Sequence, residues 1–323
     1  MHIYPGITYL GVNGPVILAA PNYPKDTRMF TTESFPWTGL TDSPLLTIDG
    51  LTFDGQSSQQ GIYKDYQNEH SHLLYLTGYR FVPGRLRALV QNSTFRNGVA
   101  DGVSVAQNAD VEVRNVRGEN VFRGAVVLTG GYSKLNVDGL TTIGNIDVTG
   151  IDIETDSPGW GGSLRNDSVW KNLDLDGDLD FGVLQGSTVY AENVLTRSGP
   201  LFLMARDSST IRIVNSTIGV GAADSYLNRI VAPGDIRFEN TTFVMTYQGA
   251  GPYYGIDIYW QLFPTSGAQS VSCTSCRFTT DGTTYPGAPL YGFVSRGKAA
   301  GDTLTLVNTT ATSAFSALVR YIG

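Results

Sequence analysis

Along the chain, apolar residues alternate in short runs that close on an Asn, a Gly or once a Ser. The phrase is apolar, any residue, apolar, any residue, then the small turn residue. It reads Leu46-x-Ile48-x-Gly50, Ala88-x-Val90-x-Asn92, Val111-x-Val113-x-Asn115, Leu135-x-Val137-x-Gly139 and Ser168-x-Trp170-x-Asn172 in the first half. It continues as Val189-x-Ala191-x-Asn193, Ile211-x-Ile213-x-Asn215, Ile236-x-Phe238-x-Asn240, Val271-x-Cys273-x-Ser275 and Leu304-x-Leu306-x-Asn308. Successive phrases start 42, 23, 24, 33, 21, 22, 25, 35 and 33 residues apart. A fixed kernel at a variable interval implies one structural unit with loops of different length.

Period-two alternation predicts strands that present every second side chain to one face. A closing Asn or Gly predicts a turn through the left-handed region, which Gly enters freely and Asn or Asp with little cost. The same turn repeated stacks each strand on its equivalent, about 4.8 Å away, and allows the Asn side chains to form an amide ladder. A second strand recurs between kernels, at Gly102–Val105, Gly124–Val127, Gly150–Ile153, Phe181–Val183, Leu201–Leu203, Gly255–Ile258 and Tyr291–Phe293. Two or three strands per turn of chain predict an all-β parallel β-helix of about ten coils. Ile48, Val113, Val137, Ile213, Phe238 and Leu306 are expected to fill its interior.

The 323 residues are enough for two ordinary domains, but the repeat predicts one. Residues 1–44 read as a first coil and a long loop, and 45–323 as the β-helix proper, within the same domain. Both ends lack the polar cap that a solenoid needs. The chain is therefore expected to be a segment of a longer protein, or to have its ends covered by partners. No run of 18 apolar residues predicts a membrane span, and Met1–Gly11 does not read as a secretion signal. A formal charge of −7 disfavours nucleic acid as a partner.

Cys273 and Cys276 form a single C-x-x-C, expected as buried thiols or a local disulfide rather than a zinc site. Five Asn-x-Ser/Thr sequons occur, at Asn92, Asn166, Asn215, Asn240 and Asn308. Four of them coincide with the repeated turn, which gives the side chain a structural use. His70 and His72, in Asn-Glu-His-Ser-His, are expected to be solvent-facing imidazoles rather than a metal site.

Three stretches, Gly6-Ile-Thr-Tyr-Leu-Gly11 with Pro15–Leu18, Leu46–Gly55 and Gly150–Glu154, resemble the pectate-lyase-like superfamily. The resemblance implies a single-stranded, right-handed parallel β-helix. It further implies a polysaccharide substrate, and it extends to bacteriophage tailspike depolymerases. On that reading the protein is extracellular or virion-associated, and the phage form is a homotrimer. The sequence carries no Asn-Thr-Asp, Asp-Asp and Gly-His-Gly set of the polygalacturonase kind.

If Ile151 and Ile153 point inward, Asp152 and Glu154 project outward on one face. Asp180 is expected on the equivalent strand one coil later. Crowded carboxylates push one pKa up and create an acid beside a base, which glycosidic hydrolysis requires. Asp152, Glu154 and Asp180 are thus the expected catalytic residues. Arg206, Asp257, Trp160, Tyr259 and Trp260 are the expected sugar contacts, since aromatic faces with polar tips suit sugar rings. No metal ligand set is assigned; calcium on the same acids is entertained as a cofactor. The expected function is cleavage of an extracellular or capsular glycan by hydrolysis or elimination. The rival reading is a non-catalytic adhesin or tail-fibre module that binds glycan or protein.

Overall fold

A computed structural model describes residues 1–33, 36–60, 70–79, 82–144, 149–154, 165–197, 199–221, 228–246, 254–261, 267–282 and 289–323. The described residues are all-β, with large parallel sheets compatible with a β-helix solenoid. They form two compact units, Met1–Gly177 and Asp178–Gly323, where the repeat alone reads as one domain.

In the first unit the kernel strands pair in parallel in chain order. Thr8–Leu10 pairs with Leu46–Asp49, which pairs with Leu86–Gln91, then Ala109–Glu119, Lys134–Ile143 and Asp167–Leu175. The register follows the sequence phrase: Ile48 faces Val90, Val90 faces Val113, Val113 faces Val137 and Val137 faces Trp170. A second ladder runs through Val16–Leu18, Thr52–Asp54, Thr94–Arg96 and the end of Ala109–Glu119. A third runs through Phe30–Thr31, Leu74–Leu76, Val103–Val105, Gly124–Thr129 and Thr149–Glu154. Phe53 and Phe95 stack inside at 4.9 Å, and Phe30 meets Phe53 edge-on.

The second unit repeats the arrangement. Its kernel ladder passes from Thr188–Thr196 through Leu201–Val214, Arg229–Glu239 and Ser270–Thr274 to Thr303–Val307. Ala191, Ile213, Phe238, Cys273 and Leu306 share one register position. Phe238, Phe243, Phe278 and Phe293 form a continuous edge-and-face cluster inside.

All ten phrase-closing residues have a positive φ, from 47° at Asn240 to 78° at Gly139. Amides among them bond across to the next strand, as Asn92 N–H does to the Arg114 carbonyl at 3.0 Å and Asn240 N–H to the Thr274 carbonyl at 3.0 Å. The side-chain ladder is local rather than continuous. Asn240 Nδ2 donates to Asn215 Oδ1 at 3.2 Å, whereas Asn172 and Asn92 donate to Asp138 and Asp49.

Of the expected interior, Ile48, Val113, Val137, Ile213 and Phe238 are fully buried. Leu306 is only half-buried, because among the described residues its strand is paired on one side alone. Cys273 and Cys276 are buried free thiols, not a disulfide.

Candidate active site

The third ladder of the first unit builds the most developed site. Leu74, Leu76, Val103, Val105, Val126, Leu128, Ile151 and Ile153 point inward and are buried. The residues between them face the other way, so Tyr75 lies beside Ser104, Ser104 beside Val127 and Val127 beside Asp152. One further position along, Thr129 lies beside Glu154. This outer face floors a cleft of about 490 Å³ whose lining includes Arg28, His72, Tyr75, Asp101, Arg123 and Glu154.

His72 is not the solvent-facing imidazole the loop sequence suggests. Its Nδ1 lies 2.9 Å from Asp101 Oδ2, with the two side chains only 5% and 1% exposed. Leu73 N–H donates to the Asp101 carbonyl at 2.9 Å, which ties the two segments together at this point. Gly102 follows Asp101 where a Cβ would come 2.6 Å from the Ala125 carbonyl oxygen, so the next strand can approach closely. Gly124 N–H then donates to Asp101 Oδ1 at 3.2 Å. Burial alone would push the Asp101 carboxyl up. The His72 charge and hydrogen bond, the Arg123 charge and the Gly124 N–H outweigh it and hold the group below the usual carboxylate range.

The His72 ring stacks on Tyr75 at 5.2 Å, and the Arg28 guanidinium sits 5.0 Å from the Tyr75 ring centre on a cation–π contact. Arg28 also pairs with Glu33 at 3.1 Å. Across the cleft, Arg123 Nη2 donates to Glu154 Oε2 at 3.1 Å, and the Glu154 side chain remains 50% exposed. The cleft thus combines an imidazole, a half-exposed carboxylate, two guanidiniums and an aromatic floor.

The expected site residues divide among several places. Glu154 lines the cleft, while Asp152, on the same face, is 8% exposed and lies outside the lining. Asp180 belongs to the second unit, half-buried on Leu179–Val183. Its neighbour Asp178 carries a pKa pushed up to about 8 by burial. Asp257 and Tyr259 do come together, on strand Tyr254–Tyr259, which contains the Gly255–Ile258 strand read from the sequence. Tyr259 Oη donates to Asp257 Oδ2 at 3.4 Å, and Arg296 clamps the same carboxylate at 3.1 and 3.2 Å. The Arg229 and Arg296 guanidiniums lie 5.3 and 5.5 Å from the Tyr259 ring centre. Burial raises the Asp257 pKa beyond what Arg296 offsets, and burial with the Asp257 charge raises that of Tyr259.

Arg206 sits where the pairing of Leu201–Val214 with Arg229–Glu239 loses its regular register. Trp260, expected as an exposed sugar contact, is instead fully buried. Its Nε1–H donates to Ser295 Oγ at 2.8 Å, which satisfies the indole inside the core. Trp160 lies outside the described residues. Among the described residues, no three His, Cys, Asp or Glu side chains are grouped to share a metal ion. The same residues include no helix long and apolar enough to cross a membrane. No family model, curated protein or solved structure matches the chain.

The sequence reading took His72 for a solvent-facing imidazole and passed over Asp101, because the two are 29 residues apart and belong to no recurring phrase. The available signal was weak: His72 and Asp101 both lie just ahead of second-type strands that pair with each other.

Proposed function

We propose that the chain is a polysaccharide-degrading enzyme with its chemistry in the first-unit cleft, acting on an extracellular or capsular glycan. One observation carries the reading: Glu154, the buried Asp101–His72 pair, Arg28, Arg123 and Tyr75 converge on a single cleft. Glu154 is the carboxylate that activates water or meets the sugar ring. His72 is the proton carrier, with Asp101 fixing the ring and offsetting its charge when it takes a proton. Tyr75 offers the sugar an aromatic face, and Arg28 and Arg123 bond its hydroxyls.

Hydrolysis is favoured over elimination. Elimination needs positive charge to neutralise a uronate, and Arg28 and Arg123 already face Glu33 and Glu154. The parallel ladders support a right-handed, single-stranded β-helix of about ten coils, as the pectate-lyase-like resemblance implies. That resemblance also supports an extracellular or virion-borne protein and a trimeric, tailspike-like assembly. A second reading, a glycan- or protein-binding module without catalysis, draws on the Arg229, Tyr259, Asp257 and Arg296 cluster. There an aromatic ring and two guanidiniums meet in the second unit.

The test is a panel of capsular and plant polysaccharides incubated with the full chain, scored for new reducing ends and for the ultraviolet absorbance of unsaturated uronates. The expected result is reducing ends without that absorbance, and a loss of at least about 100-fold in Glu154→Gln and His72→Asn, within the range for acid–base residues. No cleavage by wild type across the panel removes the catalytic reading in favour of the binding module.

A further inference from the structure

A second face lies wholly within Asp178–Gly323 and shares no residue with the cleft. Its strands Leu201–Val214, Arg229–Glu239, Tyr254–Tyr259, Leu290–Arg296 and Ala317–Ile322 pair in parallel, each in turn with the next. Ile230, Ile256, Ile258 and Phe293 turn inward and are fully buried. The positions between them turn outward and fall into two rows. One row reads Arg229, Asp257, Val294 and Arg320; the next reads Val231, Tyr259, Arg296 and Ile322. Three arginines therefore share this face with one carboxylate, in a chain whose formal charge is −7.

The arginines are set in place by their neighbours. Arg296 clamps Asp257 at 3.1 and 3.2 Å and stays 27% exposed. Arg229 and Arg296 lie 5.3 and 5.5 Å from the Tyr259 ring centre. Arg320 donates to Tyr291 Oη at 3.1 Å and lies 5.5 Å from the centre of that ring. A guanidinium stacked on a ring is held by its face, and its N–H edge is the part that recognises a carboxylate. Val294, between Asp257 and Arg320 in the register, is fully buried even on this outer side, so side chains already cover the sheet there. Strands about 4.8 Å apart put the backbones of Arg229 and Arg320, three strands from one another, about 14 Å apart.

We propose that this face binds an acidic polysaccharide through its carboxylates, as an anchoring surface alongside the cleft's chemistry. The glycan class rests on the polysaccharide reading; the demand for negative charge rests on the arginines. Positive charge repeated from strand to strand matches a polymer that carries an anion on successive sugars. The Tyr259 ring already holds two guanidiniums, so charge rather than ring stacking carries the recognition. A peptide is the poorer fit. Strand addition needs an open sheet edge, and Arg229–Glu239, Tyr254–Tyr259 and Leu290–Arg296 are paired on both sides.

Native electrophoresis of the full chain through gels holding alginate, hyaluronate, dextran or poly-L-glutamate tests this. The expected result is retardation by alginate and hyaluronate, none by dextran, and a retardation that fades with added salt. Arg229→Gln combined with Arg320→Gln should raise the alginate Kd about tenfold, the size of two partly exposed ion pairs, with an unchanged unfolding midpoint. Gln at 320 keeps an amide donor for Tyr291. No retardation by either acidic glycan, equal retardation by dextran or poly-L-glutamate, or a double variant that binds like wild type overturns the proposal. Polysaccharide cleavage is scored in the same preparation. Retardation without cleavage keeps the face and removes the catalytic reading; cleavage without retardation does the reverse.

Discussion

At Asn115 the backbone turns with φ at 51°, in the region where a Cβ crowds the following carbonyl. Asn tolerates this because its short amide bonds locally, and Gly tolerates it because it has no Cβ. Asn115→Gly should therefore leave stability nearly unchanged, whereas Asn115→Ala should cost about 1 kcal/mol and Asn115→Val more. Urea unfolding of the full chain checks the order. At Asp101 the dominant physics is burial with a partner. Asp101→Asn removes the buried carboxylate that lies 2.9 Å from His72 Nδ1 and should cost about 3–5 kcal/mol. The Asp101 carboxyl is held below its ordinary value in the fold, so its contribution is complete above the unfolded pKa of about 3.9. It is lost as pH falls through the lower folded value. An acid titration of the unfolding midpoint should show wild type losing stability below that point. The Asp101→Asn variant should lose correspondingly less there.

The strand is the scale at which the sequence was most readable. Alternation named the kernel strands and their register within each unit, since a slip by one residue would turn Val113 and Val137 out of the core. A second set of left-handed turns, at Gln56, Asn97, Asn120 and Gly144, was not legible. They close strands of only three or four paired residues, too short for alternation to stand out. The aromatic run near Tyr259 was misread for a related reason. Exposed loop and buried strand have the same residue types there, and only the Ser295 partner explains why Trp260 can be inside. In the run Asn172–Asp180 the acids largely alternate with leucines, a pattern that gives no means to tell a solvated acid from a desolvated one. Asp178 belongs to the second kind, with its pKa pushed up to about 8. A carboxyl raised in the fold favours the folded state below its unfolded pKa, and that advantage fades as pH rises from about 4 to about 8. Asp178→Asn should accordingly raise the unfolding midpoint at pH 9 relative to wild type and change it little at pH 4. Parallel thermal melts at the two pH values check this.

For the molecule as a whole, the irregular repeat spacing is the link between fold and function. Invariant kernels secure the interior, while the variable intervals bring segments such as His72 and Asp101 to the outer face. The fold was legible because it is written ten times. The cleft was not, because each of its side chains occurs once and its partners come from different intervals. Glu154 was found from its strand; His72, Asp101, Arg123 and Ser104 needed the pairing of neighbouring strands to be seen together. The central functional claim is that a glycan lies in this cleft between Glu154 and His72. Its most direct measurement is a crystal structure of the full-length Glu154→Gln variant with an oligosaccharide from the most tightly bound polysaccharide of the panel. The account predicts sugar density over Tyr75, within hydrogen-bond reach of residue 154 and His72 Nε2. Density seated instead on Tyr259 and Arg296, with the first-unit cleft empty of sugar, would contradict it.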